Sequence, residues 1–143
     1  MRTADVRPDD HLTYTLAKVS HRLQLSLDQA LHPAGLTLVQ FSALAHIARS
    51  PALSSADLAR LLLTTPQAVA TLTRRLVAAG LIEQSKAGRG RSCTLALTDE
   101  GFHRLKRGSV LATEAERRAL SALTIADQRR LATTLLRLLD DVD

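Results

Sequence analysis

Gln67, Thr71, Arg74 and Ala78 fall on one side of a helical wheel, and Val69, Leu72 and Leu76 fall together on the other, with Arg75 on the flank. These polar types suit the edges of base pairs: Gln bonds adenine bidentately, Arg bonds guanine, and Thr touches a thymine methyl or a phosphate. A second basic group, Arg89 and Arg91 among the glycines of Ala87-Gly88-Arg89-Gly90-Arg91, fits a narrow minor groove, where the potential is most negative. Ser54, Ser55, Thr64 and Thr65 stand at positions from which helix starts present hydroxyls and N–H groups to phosphates. The bland alternative is a solvated helix face and a solvated turn, with Arg74 or Arg75 paired to Glu83 or Asp57.

The elements needed to position these residues are legible around them. Thr65 is a good N-cap and Pro66 suits the first helical position, so a helix runs from there to Ala79 and stops at Gly80. A shorter helix precedes it, opened by Ser54 with Asp57 three residues on, with Leu58, Leu61 and Leu62 inward. Short helix, tight turn and second helix together resemble a helix-turn-helix. Beyond Gly80 the period changes from 3.6 to 2. Leu81 to Lys86 and Arg91 to Thr98 read as strands of a hairpin, with Cys93, Leu95 and Leu97 on one face.

Four further helices frame this unit. Asp9 or Asp10 can cap a first helix whose Leu12, Leu16, Val19, Leu23, Leu27 and Leu31 form a stripe, ending at Pro33-Ala34-Gly35. About 20 residues give a rod of roughly 30 Å, long for a small domain. Thr37 and Gln40 open the next helix as a capping box, and Pro51 ends it. Thr98-Asp99-Glu100 starts a later one that Gly108 is expected to bend, and Thr124 with Asp127 caps the last. Leu131, Leu135, Leu138 and Val142, widened by Leu136 and Leu139, leave apolar surface that one small core does not use. Such a surface points to a homodimer.

Composition agrees with this reading. The 143 residues include 28 Leu and 22 Ala against three Ile, which favours helix over a β sandwich. Of the net charge of +5, the segment 54–110 carries nine basic and four acidic residues, while the flanking segments are close to neutral. With only Tyr14, Phe41 and Phe102 as aromatics, platforms that stack single-stranded bases are disfavoured, and duplex DNA is the expected partner.

From Leu36 to Gly101 the chain resembles the MarR family of bacterial winged-helix regulators. The matching stretches are Leu36-Thr37-Leu38-Val39-Gln40-Phe41, Leu53-Ser54-Ser55-Ala56-Asp57-Leu58-Ala59, Val69 to Ile82 with Glu83 after it, and Leu97-Thr98-Asp99-Glu100-Gly101. The resemblance implies a mainly α fold, a winged helix-turn-helix with a two-stranded β wing and long N- and C-terminal dimerisation helices. It divides one integrated domain into an N-terminal dimerisation helix over 1–36, a DNA-binding core over 37–98, and C-terminal dimerisation helices over 99–143. It further implies a repressor that binds a near-palindromic duplex as a homodimer and is released by a small aromatic or phenolic effector. The family's wing carries an Asp, a variable residue and an Arg. Here Arg91 matches the Arg, while Arg89 stands where the Asp is expected, so the tip gains a positive charge. The residues of an effector pocket follow no motif that carries over.

Other chemistry is weaker. Cys93 could act as a thiol redox sensor, but its strand face predicts a buried, inert thiol. A single cysteine excludes a disulfide framework and fits a reducing cytosol. His11, His21, His32, His46 and His103 contain no pair at helical ligand spacing, so no metal site is expected. No catalytic set, cofactor motif, leader or membrane span stands out, and an enzyme is not expected. A winged-helix module that docks a protein through the same hairpin remains the alternative from another class.

Overall fold

A computed structural model describes residues 7, 10–50, 52–86 and 93–142. Six helices and one hairpin follow in order: α1 (Leu12–Leu31), α2 (Leu38–Arg49), α3 (Ser55–Leu61), α4 (Pro66–Ala78), β1 (Ile82–Ser85), β2 (Thr94–Leu97), α5 (Asp99–Ala119) and α6 (Ile125–Asp141). A single 3₁₀ turn, His32–Ala34, joins α1 to α2. The helix starts are set by side chains. Thr37 with Gln40, and Ser54 with Asp57, form reciprocal capping boxes, and Thr65, Thr98 and Thr124 each accept a backbone N–H from three residues on. At α1 the expectation fails: His11 is the N-cap and makes no side-chain cap, with Asp10 one residue too early and Asp9 outside the described residues.

The core lies where α2, α3, α4, the hairpin and the end of α1 meet, built from Leu31, Leu44, Leu58, Val69, Leu76 and Leu95, all with no exposed surface. Of the predicted inward residues of α3, Leu58 is buried and Leu62 half-buried, whereas Leu61 is 48% exposed. On the helix wheel Leu61 lies about 60° to one side of buried Leu58 and Leu62 about 40° to the other, so Leu61 falls nearer the edge of the buried stripe. Gly108 does not interrupt α5, which runs unbroken through it. A Cβ there would come within 3.0–3.3 Å of Phe41, Leu31 and Leu36, so the glycine lets α5 approach α1 and α2 closely.

The hairpin is antiparallel with Ile82 opposite Leu97 and Ser85 opposite Thr94. It is joined to the start of α3 by the Ser54–Thr94 bridge and by Leu95 N–H donating to the Leu53 carbonyl at 3.2 Å. At the far end, α6 has no buried residue, and its Leu131, Leu135, Leu136, Leu138 and Leu139 are all exposed. Leu12 and Val19 of α1 are exposed as well. The α6 stripe read from the sequence is therefore uncovered in one copy of the chain, while that of α1 is exposed at Leu12 and Val19, half-buried at Leu16, Leu23 and Leu27, and buried at Leu31. Among the described residues no helix is long and apolar enough to cross a membrane.

Candidate nucleic-acid interface

The short helix α3 begins on a tight polar knot. Ser54 Oγ accepts from Asp57 N–H at 3.1 Å and donates to Asp57 Oδ2 at 2.6 Å, while Ser54 N–H donates to the same carboxylate at 3.2 Å. Arg60 closes the knot from the other side of Asp57. These bonds, those from Ser54 first, hold the Asp57 carboxyl below its ordinary range. Asp57 is thus engaged by Ser54 and Arg60, and neither Arg74 nor Arg75 has an ion-pair partner among the described residues.

The turn between α3 and α4 has an unusual residue at its pivot. Leu63 has φ 51°, a left-handed conformation that costs a non-glycine residue about 1–2 kcal/mol. It is held by Leu63 N–H to Arg60 O at 3.2 Å and Thr64 N–H to Ala59 O at 3.0 Å, the paired bonds of a Schellman ending. Thr65 then caps α4, accepting Ala68 N–H at 3.1 Å, with Pro66 in the first turn. Val69 and Leu76 pin α4 to the core with Leu72 half-buried beside them, and Gly80 at φ 71° turns the chain into β1. Sequence and geometry agree on which face of α4 points outward.

That outward face borders a cleft of about 720 Å³ between α4, the first residue of α3, and β1. Five predicted residues meet there: Ser55, Thr65, Gln67, Thr71 and Arg74. Gln67 and Arg74 are exposed, and Arg74 Nη2 donates to Thr71 Oγ1 at 3.2 Å, which orients the guanidinium along the helix. Three other predicted residues lie apart from it. The Ser54 hydroxyl is engaged in the cap, and Arg75 is exposed but does not line the cleft. Thr64 lies in a second cavity of about 430 Å³ bounded by α1, α2 and the turn, with Asp28, Leu38 and Leu63.

Arg89 and Arg91, with the rest of residues 87–92, lie outside the described residues. The hairpin is described up to Ser85 and Thr94, whose hydroxyls hydrogen-bond across the ladder. Cys93 corrects an expectation: it is exposed, not buried. The second strand begins at Thr94, so Cys93 falls outside the ladder and does not share the buried position of Leu95.

Two polar residues of the cleft are not among those the sequence singles out. Thr73 is 2% exposed, and its Oγ1 has no hydrogen-bond partner among the described residues. Gln84 sits on β1 on the same strand face as buried Ile82, one pleat further out, and lines the cleft beside Thr73 and Arg74. Neither carries a motif. The only signals were a hydroxyl on the flank of the apolar stripe of α4 and a period-2 register whose partner helix the sequence does not reveal.

Residues 34–92 match a family model described as MarR family. The HTH-type transcriptional repressor Rv2887 of Mycobacterium tuberculosis is 38% identical over 134 residues, covering 93% of this chain and 96% of the relative. A crystal structure of the M. tuberculosis MarR family protein Rv2887 in complex with salicylic acid superposes with a TM-score of 0.74 at 37% identity, covering 95% of this chain and 99% of that one. The structure of that protein in complex with DNA gives a TM-score of 0.73 at 38% identity, over 90% and 97% of the two chains.

Proposed function

The chain belongs to the MarR family of winged helix-turn-helix transcriptional regulators, and from that premise we infer that it is a repressor which holds a near-palindromic duplex operator as a homodimer and releases it on taking up a small aromatic or phenolic acid. The observation that carries the DNA-binding half is α4. It is capped at Thr65, pinned by Val69 and Leu76, and presents Gln67, Thr71 and Arg74 outward together. Gln67 and Arg74 have the side chains to read base edges in the major groove, with Thr71 steadying Arg74 and Arg75 on the flank. Ser55, Thr64 and Thr65 contribute at the phosphates, Ser54 holds the cap, and Arg89 and Arg91 reach the minor groove from the wing. The relative's structures with DNA and with salicylic acid support both halves of this reading.

Dimerisation rests on the uncovered stripes of α1 and α6. In the scheme 1–36, 37–98 and 99–143, the ends associate and the centre meets DNA, in line with the basic charge of the centre. This is a cytoplasmic binding protein, and no enzymatic step is assigned to it. The test is a binding assay on the duplex flanking its own gene, repeated with a panel of aromatic acids that includes salicylate. Tight, salt-sensitive binding that an acid reverses is expected. Absence of duplex binding even at low salt would overturn the proposal.

A further inference from the structure

We propose that the cleft between α4, α3 and β1 is a seat for one strand's phosphodiester backbone, with Gln84 and Thr73 as its donors. The inference rests on the duplex-binding reading above and adds two residues that the base-reading face of α4 does not include.

Three observations converge on it. Buried polar side-chain atoms in folded proteins are nearly always partnered, yet Thr73, which lines this cleft, has a buried Oγ1 without a partner among the described residues. An unsatisfied hydroxyl of this kind is a standing cost to the free protein, relieved when an acceptor arrives. Gln84 lies beside it. Its position on β1 is fixed by the ladder, where it stands opposite Leu95, and by Ile82 two residues earlier, which is buried in the core. Its amide therefore projects along the same strand face, at the wall opposite the α4 residues. The electrostatics suit an anion. Arg74 lines the cleft, Ser55 and Thr65 add hydroxyls, and no carboxylate lines it among the described residues. Ala70, small and exposed on the α4 wall, leaves room for a backbone to pass.

The cleft then serves two jobs at once. With α4 in the major groove, Gln67 and Arg74, which line it too, face the bases, while Thr73 and Gln84 meet the strand that runs along the crease between α4 and the hairpin. Contacts there are blind to sequence but set the depth and register at which α4 sits. Thr73 and Gln84 are positioning residues in this sense, and their loss weakens every duplex equally.

The experiment measures affinity for the operator duplex and a random duplex across a salt series, for the native chain and three variants. Thr73→Val keeps the shape of the side chain and removes only the hydroxyl. It should weaken both duplexes by at least about threefold while leaving the thermal midpoint unchanged or raised, because a buried unsatisfied group has been removed. Gln84→Ala should weaken both about tenfold with an unchanged salt slope, since a neutral donor releases no counterion. Gln84→Lys should tighten both at low salt and steepen the slope by about 0.9 for each half-site engaged. Unchanged affinity in Thr73→Val and Gln84→Ala would overturn the seat, as would a loss confined to the operator. A lowered midpoint in Thr73→Val would make that hydroxyl structural and overturn its part. Failure of the native chain to bind either duplex would overturn the DNA-binding reading itself, and the seat with it.

Discussion

Gly101 occupies the first turn of α5, and the structure leaves no room for any other residue there. A Cβ at this position would stand 2.0 Å from the Leu81 carbonyl oxygen and 3.1 Å from its carbon, where real Cβ contacts essentially never fall below 3.0 Å. The gap must therefore open by about 1 Å, and the obstacle is backbone, which cannot rotate away. Three bonds meet at this point. Thr98 N–H donates to Leu81 O at 3.1 Å, Thr98 Oγ1 donates to Gly80 O at 2.6 Å, and Gly101 N–H donates to Thr98 Oγ1 at 3.0 Å. In Gly101→Ala the displaced turn loses about two of them, at about 1 kcal/mol each. Overpacking adds about 1–3 kcal/mol. Alanine's better helix propensity returns about 1 kcal/mol. The net expectation is a destabilisation of about 2–4 kcal/mol, a fall in Tm of roughly 5–15 °C for a chain of this size. Circular dichroism melts at one fixed protein concentration measure it, since dimer stability varies with concentration. Gly108→Ala is the internal comparison, because its Cβ meets only side-chain ends at 3.0–3.3 Å, which can yield. A Gly101→Ala variant that melts at or above the native midpoint, or below which Gly108→Ala falls further, would refute the ranking.

Other expectations concern binding, assembly and acid stability. Gln67→Ala should lose affinity mainly for the operator over random duplex, and an equal loss on both would mean that Gln67 does not read bases. Arg91→Ala should weaken all duplexes and flatten the salt slope by about one unit for each half-site, so an unchanged slope in a salt titration counts against the wing contact. Leu135→Glu, placed in the uncovered stripe of α6, should shift the mass seen by light scattering from dimer to monomer; a variant that stays dimeric removes α6 from the interface. Hydrogen bonds from Arg117 and Arg118 hold Glu114 down from 4.5 to about 2, so its stabilising pairs are complete above about 4.5 and are lost as pH falls from there to about 2. Glu114→Gln should therefore flatten the decline of Tm across that window, and an identical decline in both proteins would show that the pairs are not coupled to folding.

Much of the fold was open to reading because it is written in local chemistry. Thr37, Ser54, Thr65, Thr98 and Thr124 each mark a helix start through a hydroxyl that needs only the next three residues to act, and all five act as read. The Gly80 stop is equally local. What resisted reading depends on neighbours distant in sequence. One exception is local: the left-handed residue ending α3 is Leu63, where propensity favours Gly or Asn, and with its side chain exposed the conformation is held by the backbone bonds to Arg60 and Ala59. Gly108 looked like a helix defect because the side chains that need its missing Cβ, Leu31 and Phe41, lie on other helices. Reading the strand from Arg91 puts Cys93 on its inner face, whereas β2 begins at Thr94, a boundary that alternation alone does not fix. In the cleft beside α4, Gln67, Thr71 and Arg74 are brought together as one helix wheel predicts. Thr73 and Gln84 were missed because their meeting is created by a strand folding back beside a helix.

The unbroken course of α5 has a mechanical meaning. Its first turn is bonded to the backbone at Gly80 and Leu81, where α4 hands over to β1, and its last turn leads into α6. A helix of 21 residues spans roughly 30 Å. Over that length a tilt of about 5° at the α6 end would displace the end at Gly80 and Leu81 by roughly 2.6 Å, close to the ~3.4 Å rise between stacked base pairs. A pair of such levers would need only a slight adjustment at their shared pivot to bring two reading heads into or out of step with one face of the double helix.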